Sequence, residues 1–424
     1  MDCVTQNMAV CWLSRFLCSS KRIWAYYDKF RCLMGECQLN CCKDSWRIAF
    51  DRKDYLTLKH VKGSPELNSR LSHSLRRIRN EEASKMFFGE FDMHSGVCPL
   101  LREDGICLLQ LEKGSQPQPF VCRSFPRHES ATRFGFFERS LSLACEGVLE
   151  LLWNIPEGIS FSFDPLPQKE QQTFFLVKGC PFSVNQNQEI RSACIDLLQE
   201  RRFSLPQRIL LVGIVLKELC DGEKDINRWR SRVRLLCTAP DTPDLLYGFG
   251  DLEQLDIRML VNNFRVILSL DPTSKLRSLQ EEIESGLGIP VVKGSKISRA
   301  GSVDISPAYR AAQARFRECF KGREYFMENL MVAVFFQLCL PNMDNLDDLW
   351  KSYVNYCNIY SFFRFMAVMS CRRGAPGDKS ELFRLLVEAS RRLLHDSQRR
   401  EKLAEDLFKN ESSTLAHMAV LLSG

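Results

Sequence analysis

Four cysteines fall within eleven residues near the start of the chain, in the stretch "CLMGECQLNCC" from 32 to 42. Four more follow in separate segments: Cys98 and Cys107 in "VCPLLREDGIC", Cys122 in "FVCRSFPR" and Cys145 in "LACEG". Thiols from several separated segments can act together only after the chain has folded around them. The spacing therefore predicts one pre-folded site in the N-terminal part of the chain.

The later cysteines belong to a different class. The chain has 19 cysteines in 424 residues, and 11 of them fall in the first 145 residues. Those beyond this point are scattered, mostly among apolar neighbours, where a free thiol behaves as a small hydrophobic side chain. We expect them to pack in the core without a chemical role.

Three kinds of site use clustered thiols. Disulfide frameworks suit small extracellular domains, whereas this chain is long and carries many further thiols. Structural zinc sites usually combine paired C-x2-4-C elements, and only Cys37 and Cys41 approach that spacing. Iron–sulfur clusters accept freer spacing and are shielded by apolar side chains. Nearby aromatic candidates for that shield are Trp46, Phe91, Phe120 and Phe125. We favour an iron–sulfur cluster, with zinc as the alternative.

The adjacent pair Cys41 and Cys42 complicates a single site. Consecutive side chains usually point apart, so the two thiols are poor candidates for equivalent ligands of one metal. Either one binds while the other packs, or the eight cysteines hold two centres of four. The sequence leaves both arrangements open.

The two halves of the chain differ in their hydrophobic pattern. Residues 26–153 are rich in cysteine, glycine and aromatic residues, with candidate strands such as "RFGFFERSLSL". From about residue 172, segments such as "LPQRILLVGIVLKELC" repeat apolar residues at helical steps. We predict a mainly α protein, in which an irregular cysteine-rich metal- or cluster-binding domain with short strands (26–153) precedes a larger helical domain (172–424). A leader of uncertain order (1–25) and a polar loop near 286–307 complete this division.

Several functional classes are disfavoured by composition. No run approaches the roughly 18 apolar residues of a membrane-spanning helix. Asp2 and Arg15 interrupt the only segment that resembles a secretion signal, so we expect a cytoplasmic protein without a membrane partner. The net charge of +6 and the pI of about 8.5 are too mild to indicate nucleic-acid binding.

The cysteine motifs resemble those of a known family. The segments "FRCLMGECQLNCCKDSW", "GVCPLLREDGICLLQ" and "VCRSFPRH", in this order, resemble the flagellin lysine N-methylase family of bacteria, which shares this module with cysteine-rich zinc- or iron-chelating proteins. In the other half, "YFMENLMVAVFFQLCLP" and "TLAHMAVLL" are similar to segments of the same family. The resemblance covers about residues 26–424.

The resemblance implies an activity and its cofactors. It implies methylation of flagellin lysines by S-adenosylmethionine, with an iron–sulfur cluster, 4Fe-4S in type, bound by the cysteine module. The ligand candidates carried over are Cys32, Cys37, Cys41, Cys42, Cys98, Cys107, Cys122 and Cys145. The competing interpretation is a non-enzymatic iron–sulfur or zinc module whose helical half binds a partner.

Methyl transfer to lysine requires a neutral amine aligned with the sulfonium methyl. Candidates for assisting the amine are Tyr325 and Glu328 in "YFMENL". Arg123 and Arg127 are candidates for binding the methionyl carboxylate. For each, a structural role is the stronger interpretation from sequence alone.

Overall fold

The computed structural model of the chain describes residues 20–24, 26–43, 47–79, 87–93, 96–131, 137–165, 181–223, 225–239, 265, 274–289, 305–341, 344–372, 378–395 and 397–423. Between residues 20 and 165 it contains short strands and helices. The strands are β1 (Ser20–Trp24), β2 (Ala49–Phe50), β3 (Leu75–Arg77), β4 (Gly89–Phe91), β5 (Arg127–Ala131), β6 (Phe137–Leu141) and β7 (Phe161–Pro165). The α-helices are α1 (Arg52–His60), α2 (Pro65–Ser74), α3 (Leu108–Lys113), α4 (Phe120–Ser124) and α5 (Glu146–Trp153).

The strands form two small sheets. One has the order β5-β6-β1-β7 and the other the order β2-β4-β3. Strand β1 runs parallel to β6, with Arg22 opposite Glu138, and antiparallel to β7. Residues 20–24 of the predicted leader are therefore part of a sheet, whereas residues 1–19 lie outside the described residues.

Beyond residue 180 the described elements are helical. They are α6 (Val184–Leu198), α7 (Leu205–Cys220), α8 (Ile226–Thr238), α9 (Ser274–Gly286), α10 (Ser306–Cys319), α11 (Tyr325–Gln337), α12 (Leu346–Met369), α13 (Lys379–Leu393), α14 (Ser397–Lys409) and α15 (Leu415–Ser423). The longest, α12, packs against α7, α10, α13, α14 and α15. None of the described helices is long and apolar enough to cross a membrane.

Local sequence signals explain where these helices begin. Ser204 and Gln207 form a capping box at the start of α7, and proline occupies its first turn. Ser183 and Gln186 form the same arrangement at the start of α6. Each box satisfies backbone N–H groups that the first helical turn leaves without partners.

The buried apolar side chains form two clusters. The larger one joins α5 to the helices that follow residue 180, through residues such as Val148, Leu211 and Phe335. The smaller one lies between helices α1, α2 and α3 and the three-stranded sheet β2-β4-β3, around Phe50, Leu67 and Phe91. The larger core thus includes residues from both sides of the predicted domain boundary.

The predicted fold class is confirmed: the protein is mainly helical, and the strands found among the described residues are short and lie between residues 20 and 165, in the irregular cysteine-rich N-terminal part. The candidate strand in "RFGFFERSLSL" contains β6. The domain boundaries remain predictions. Most of the predicted polar loop, residues 290–304, lies outside the described residues.

Candidate cysteine-lined metal site

All eight N-terminal cysteines carried by the motifs line one pocket, which we call the thiol pocket. Its volume is about 380 Å³. Two of the aromatic residues predicted to shield the site, Phe91 and Phe125, also line it. Phe120 instead is 64% exposed, and Trp46 lies outside the described residues. The thiols thus converge from four segments, while their role as metal ligands remains a prediction.

Backbone hydrogen bonds fix the first cysteine loop against the second. The Cys98 N–H donates to the Cys42 carbonyl at 2.8 Å. The buried Asn40 side chain accepts from the Cys42 N–H at 2.8 Å and donates to the Gly105 carbonyl at 3.2 Å. Because Gly105 lies in the turn between Cys98 and Cys107, Asn40 holds both loops in one arrangement.

A glycine permits this close approach. A Cβ atom added to Gly35 would lie 2.4 Å from the backbone oxygen of Asp104. No real side chain tolerates that distance, so residue 35 must lack a Cβ for the loops to meet. The glycine of "GEC" in the first motif is therefore needed for the two loops to pack against each other.

Cys122 is placed by the short helix α4. The N–H of Phe120, at the start of this helix, donates to the buried carboxylate of Asp54 at 2.7 Å. Asp54 also lies 3.5 Å from the guanidinium of Arg123. Helix α1, which carries Asp54, thus positions Cys122 at the pocket wall.

Cys145 precedes α5, and the next residue joins it to the first loop. The Glu146 carboxylate accepts from the Leu39 N–H at 2.8 Å and from the Cys37 thiol at 3.3 Å. A carboxylate in the first turn of a helix is favoured by the helix dipole. Glu146 therefore connects Cys37 to the segment that carries Cys145.

Two polar residues from the far end of the chain lie at the pocket or contact its first cysteine loop. His395, two residues after α13, lines the pocket, and its Nε2 lies 2.8 Å from the Ser142 hydroxyl. On α13 itself, the Arg391 guanidinium donates to the Leu39 carbonyl at 3.2 Å. Sequence reasoning missed both residues, because about 250 residues separate them from the last cysteine motif and no local pattern marks them.

The electrostatic environment differs among the thiols. A hydrogen bond from Cys42 lowers the pKa of Cys41 to about 7, and Arg391 also favours its thiolate. Burial raises the pKa of Cys145 to about 12, with further contributions from Cys41 and Cys32. Burial likewise raises the pKa of Cys122, with contributions from Cys98 and Cys107. Most of these thiols are held protonated, since a thiolate there would meet neighbouring sulfur and little water.

The geometry has a bearing on the kind of metal centre. Across the described ranges, no three side chains among His, Cys, Asp and Glu are grouped closely enough to hold one metal ion. A tetrahedral zinc site requires such a group. In an iron–sulfur cluster the cysteine sulfurs bind different iron atoms and stay further apart. The kind of metal centre therefore stays a prediction.

The two arginine candidates both line the thiol pocket. Arg123 donates to the Gln118 carbonyl at 2.6 Å and pairs with Asp54. Arg127 donates to the Phe30 carbonyl at 3.4 Å and lies over the Phe30 ring, 5.2 Å from its centroid. Arg123 is thus engaged by an acidic partner, whereas the described contacts of Arg127 are to a carbonyl and aromatic rings.

The two candidates on α11 lie elsewhere. Tyr325 donates to the Trp153 carbonyl at 2.9 Å. Glu328 is 2% exposed and accepts hydrogen bonds from Arg208 at 2.6 Å and from Arg201 at 2.9 Å. Neither is among the described residues that line the thiol pocket. Their catalytic roles remain predictions, and their contacts are those of structural groups.

Comparison with known proteins extends the resemblance. A family model described as the FliB lysine N-methylase C-terminal domain matches residues 191–421, more than half of the chain. The chain is 28% identical over 185 residues to a lysine-N-methylase of Salmonella typhimurium and 27% identical over 190 residues to one of Salmonella choleraesuis. Each alignment covers 42% of this chain and 42% of the relative, so the match spans less than half of those proteins' length.

A further relative is matched over more of its length. The chain is 30% identical over 146 residues to the flagellar biosynthetic protein FliU of Salmonella muenchen, covering 32% of this chain and 78% of that protein. No solved structure matches the chain.

Proposed function

The chain belongs to the FliB lysine N-methylase family, and we propose that it is a cytoplasmic enzyme that methylates lysines of flagellin with S-adenosylmethionine as methyl donor. In this proposal the thiol pocket holds an iron–sulfur cluster. The observation that carries it is the convergence of eight motif cysteines on one pocket, in a chain whose C-terminal half matches a lysine N-methylase domain.

The donor set of the pocket fits such a cluster. Cysteine thiolates are the usual ligands of iron–sulfur clusters, and apolar surroundings keep water away. The pocket wall combines the thiols with apolar side chains such as Phe91, Leu100 and Phe125. When bound, the cluster would supply a structural anchor and a Lewis-acidic contact for the amino and carboxylate groups of the methyl donor.

The residues of the chain suggest how the substrates are bound. Arg127 is better placed than Arg123 to pair with the carboxylate of the methyl donor, because Asp54 already engages Arg123. A lysine side chain entering the apolar wall would lose part of its hydration, which favours the neutral amine that methyl transfer needs. The lysine ammonium would lose one proton to solvent before transfer, and attack by the neutral amine on the sulfonium methyl would leave a methylammonium and a thioether.

A co-expression experiment tests this proposal. Flagellin is produced with the wild-type chain, with Cys37→Ser and with Cys319→Ser, and its intact mass is measured. Cys319 is an exposed thiol on α10 and provides a matched control outside the pocket. We expect methyl increments on flagellin with the wild type and with Cys319→Ser, and none with Cys37→Ser.

Two outcomes would contradict the proposal. Flagellin left unmethylated by a soluble, metal-loaded wild-type chain would favour the alternative of a binding module or a different substrate. Full methylation by a Cys37→Ser chain that has lost its metal would separate the activity from the thiol pocket.

A further inference from the structure

Two cysteines outside the thiol pocket are brought together by the helical part of the chain. Cys319 is the last residue of α10, and Cys371 follows the end of α12 by two residues. Their thiols hydrogen-bond to each other. Because the two residues are distant in the sequence, the packing of α10 against α12 creates this contact. The contact differs from the expectation that the later cysteines only pack in the core.

An arginine on α10 holds the two segments in place. Arg315 lies one turn before Cys319, on the same face of the helix. Its guanidinium donates to the Cys371 carbonyl at 2.8 Å and to the Arg372 carbonyl at 3.2 Å. Arg372 in turn pairs with Glu381 of α13 at 2.7 Å. Side chains of neighbouring helices thus fix the backbone around Cys371 and keep its thiol beside α10.

The two thiols differ in their access to solvent. Cys319 is exposed, whereas only 1% of the surface of Cys371 is exposed. Burial raises the pKa of the Cys371 thiol, which therefore keeps its proton, although Arg315 favours the thiolate. An oxidant from solution consequently reaches Cys319 first.

An exposed thiol beside a buried one is the arrangement of a redox-sensitive cysteine and its resolving partner. The exposed thiol is oxidised to a sulfenic acid, which then condenses with the neighbouring thiol to a disulfide. In the cytoplasm, where the proposed function places the chain, disulfides are usually transient and serve redox sensing or catalysis. By contrast, Cys194 and Cys357 are fully buried and inaccessible to a dissolved oxidant.

We propose that Cys319 and Cys371 form a reversible disulfide when the chain meets hydrogen peroxide, so that the pair is a redox modification site separate from the thiol pocket. The Cys319 sulfur attacks one peroxide oxygen, the O–O bond breaks, and the thiol proton leaves with the other oxygen as water. The Cys371 sulfur then attacks the Cys319 sulfur, the S–O bond breaks, and the oxygen leaves with the Cys371 proton as a second water. Both thiols are oxidised, the peroxide is reduced, and a dithiol reductant reverses the bond.

The bond would close a ring of the chain that contains α11 and α12. Phe320, next to Cys319, packs edge-on against Trp153, with ring centroids 5.8 Å apart. Trp153 is the last residue of α5, the helix that begins directly after Cys145. Oxidation at Cys319 would therefore constrain a segment that contacts the helix following the last pocket cysteine.

Peptide mapping tests the proposal. The full chain is purified with reductant, transferred to buffer without it and treated with hydrogen peroxide, as wild type, as Cys319→Ser and as Cys237→Ser. Cys237 is a half-buried thiol on α8 and provides the control. Free thiols are then alkylated, the chain is digested without reduction, and linked peptides are identified by mass.

We expect the peptides of Cys319 and Cys371 to be linked in the wild type and in Cys237→Ser. The link should be absent from Cys319→Ser and should be reversed by dithiothreitol. A treated wild type in which both thiols stay free, or in which Cys319 is linked to a different cysteine, would overturn the proposal.

A second variant tests which thiol reacts first. In Cys371→Ala a sulfenic acid on Cys319 has no partner, so dimedone, which labels sulfenic acids, should modify Cys319 far more than in the wild type. Should this variant not fold, dimedone added to the wild type during oxidation should label Cys319 and lower the yield of the link. Label on Cys371 instead of Cys319 would overturn the assigned order.

Urea denaturation measures the effect of the bond on the fold. Because a disulfide restricts the unfolded chain, the peroxide-treated wild type should unfold at a higher urea concentration than peroxide-treated Cys319→Ser. An equal or lower midpoint would show that the bond does not belong to the native arrangement. These readouts need neither flagellin nor metal, so the thiol pair and the proposed enzyme can fail separately.

Discussion

Buried polar groups are treated in two different ways in this molecule. At two buried sites, which we call together the ion-pair core, carboxylates meet arginines: Glu138 pairs with Arg191, and Glu328 pairs with Arg201 and Arg208. In the thiol pocket, eight sulfurs line a cavity of about 380 Å³ and lie beside one another. The two buried carboxylates are paired with arginine side chains of the same chain, whereas the thiols line an open cavity.

This difference favours a structural role for the buried ion pairs and a ligand-binding role for the thiols. A buried charge with a complete set of partners stabilises one conformation and has no capacity left for a ligand. Thiols that crowd one another gain little from folding and are costly to ionise together. Under the proposed function, a cluster that binds several thiolates at once would account for their convergence.

The largest expected effect concerns the most buried ion pair among the described residues. The side chains of Glu138 and Arg191 are 1% and 0% exposed, with an Nη2 to Oε2 distance of 2.7 Å. Glu138→Ala would leave the guanidinium without its counter-charge, at an expected cost of about 3–5 kcal/mol in the free energy of unfolding. Urea denaturation measures this cost.

A matched control lies in the same hairpin. Glu129 pairs with Arg139 at 2.7 Å but is 56% exposed, so Glu129→Ala should cost about 0–1 kcal/mol. Equal costs for the two variants would show that the buried pair does not anchor the fold as described.

A smaller effect is expected for Glu328, which tests the comparison directly. Glu328→Gln keeps the shape but removes the charge that satisfies Arg208, and we expect a loss of about 1–3 kcal/mol of stability. Under the proposed function, the folded variant should still methylate flagellin, because the contacts of Glu328 are structural. Glu324→Gln, at an exposed position beside the same helix, serves as the control in denaturation and intact-mass measurements. A stable variant without activity would instead support Glu328 as a catalytic group.

The smallest effect concerns pH at the edge of the thiol pocket. Burial, together with His128, Arg400 and Arg391, lowers the pKa of His395 to about 4. Below its ordinary pKa of about 6.5 the unfolded chain therefore binds a proton that the folded chain takes up only near pH 4, so stability falls as the pH drops through this window. Since His395 keeps part of its surface exposed to solvent, the expected loss is at most about 1 kcal/mol.

Denaturation at pH 7 and pH 4.5 measures this loss in the wild type and in His395→Gln. The dependence should be weaker in His395→Gln and unchanged in His60→Gln, which alters an exposed histidine on α1. An identical pH dependence in the wild type and His395→Gln would remove His395 as its source.

Much of the helical architecture could be predicted from local pattern. The segment "LPQRILLVGIVLKELC" is helix α7 in full, because its apolar period and its capping residues agree. Helix α6 begins before the apolar pattern predicted from "EIRSACIDLLQERR", since the capping box of Ser183 and Gln186 starts the helix in a polar stretch. Local sequence signals therefore predict that a helix is present more accurately than they predict where it begins and ends.

The candidate site was only partly predictable. The eight cysteines are conspicuous as motifs, and their convergence follows from the need for a common site. Which thiols approach one another could not be predicted, because Cys41 and Cys42 hydrogen-bond to each other although consecutive side chains usually point apart, and Cys37 reaches the segment of Cys145 through Glu146. Likewise, Glu328 meets Arg201 and Arg208 across more than 100 residues, which no local pattern encodes.

Helix α5 follows the last cysteine motif and packs against the helices beyond residue 180, so it connects the two parts of the protein. Its first residue follows Cys145, and its last, Trp153, packs edge-on against Phe326 and Phe383. Asn329 donates to the carbonyls of Leu152 and Ile155 at the same end. A fragment that begins at residue 191, where the family match begins, would lack α5 and would expose the apolar side chains of Phe326 and Phe383 that pack on Trp153. A gene truncation intended to give a soluble helical half should retain the chain from residue 146.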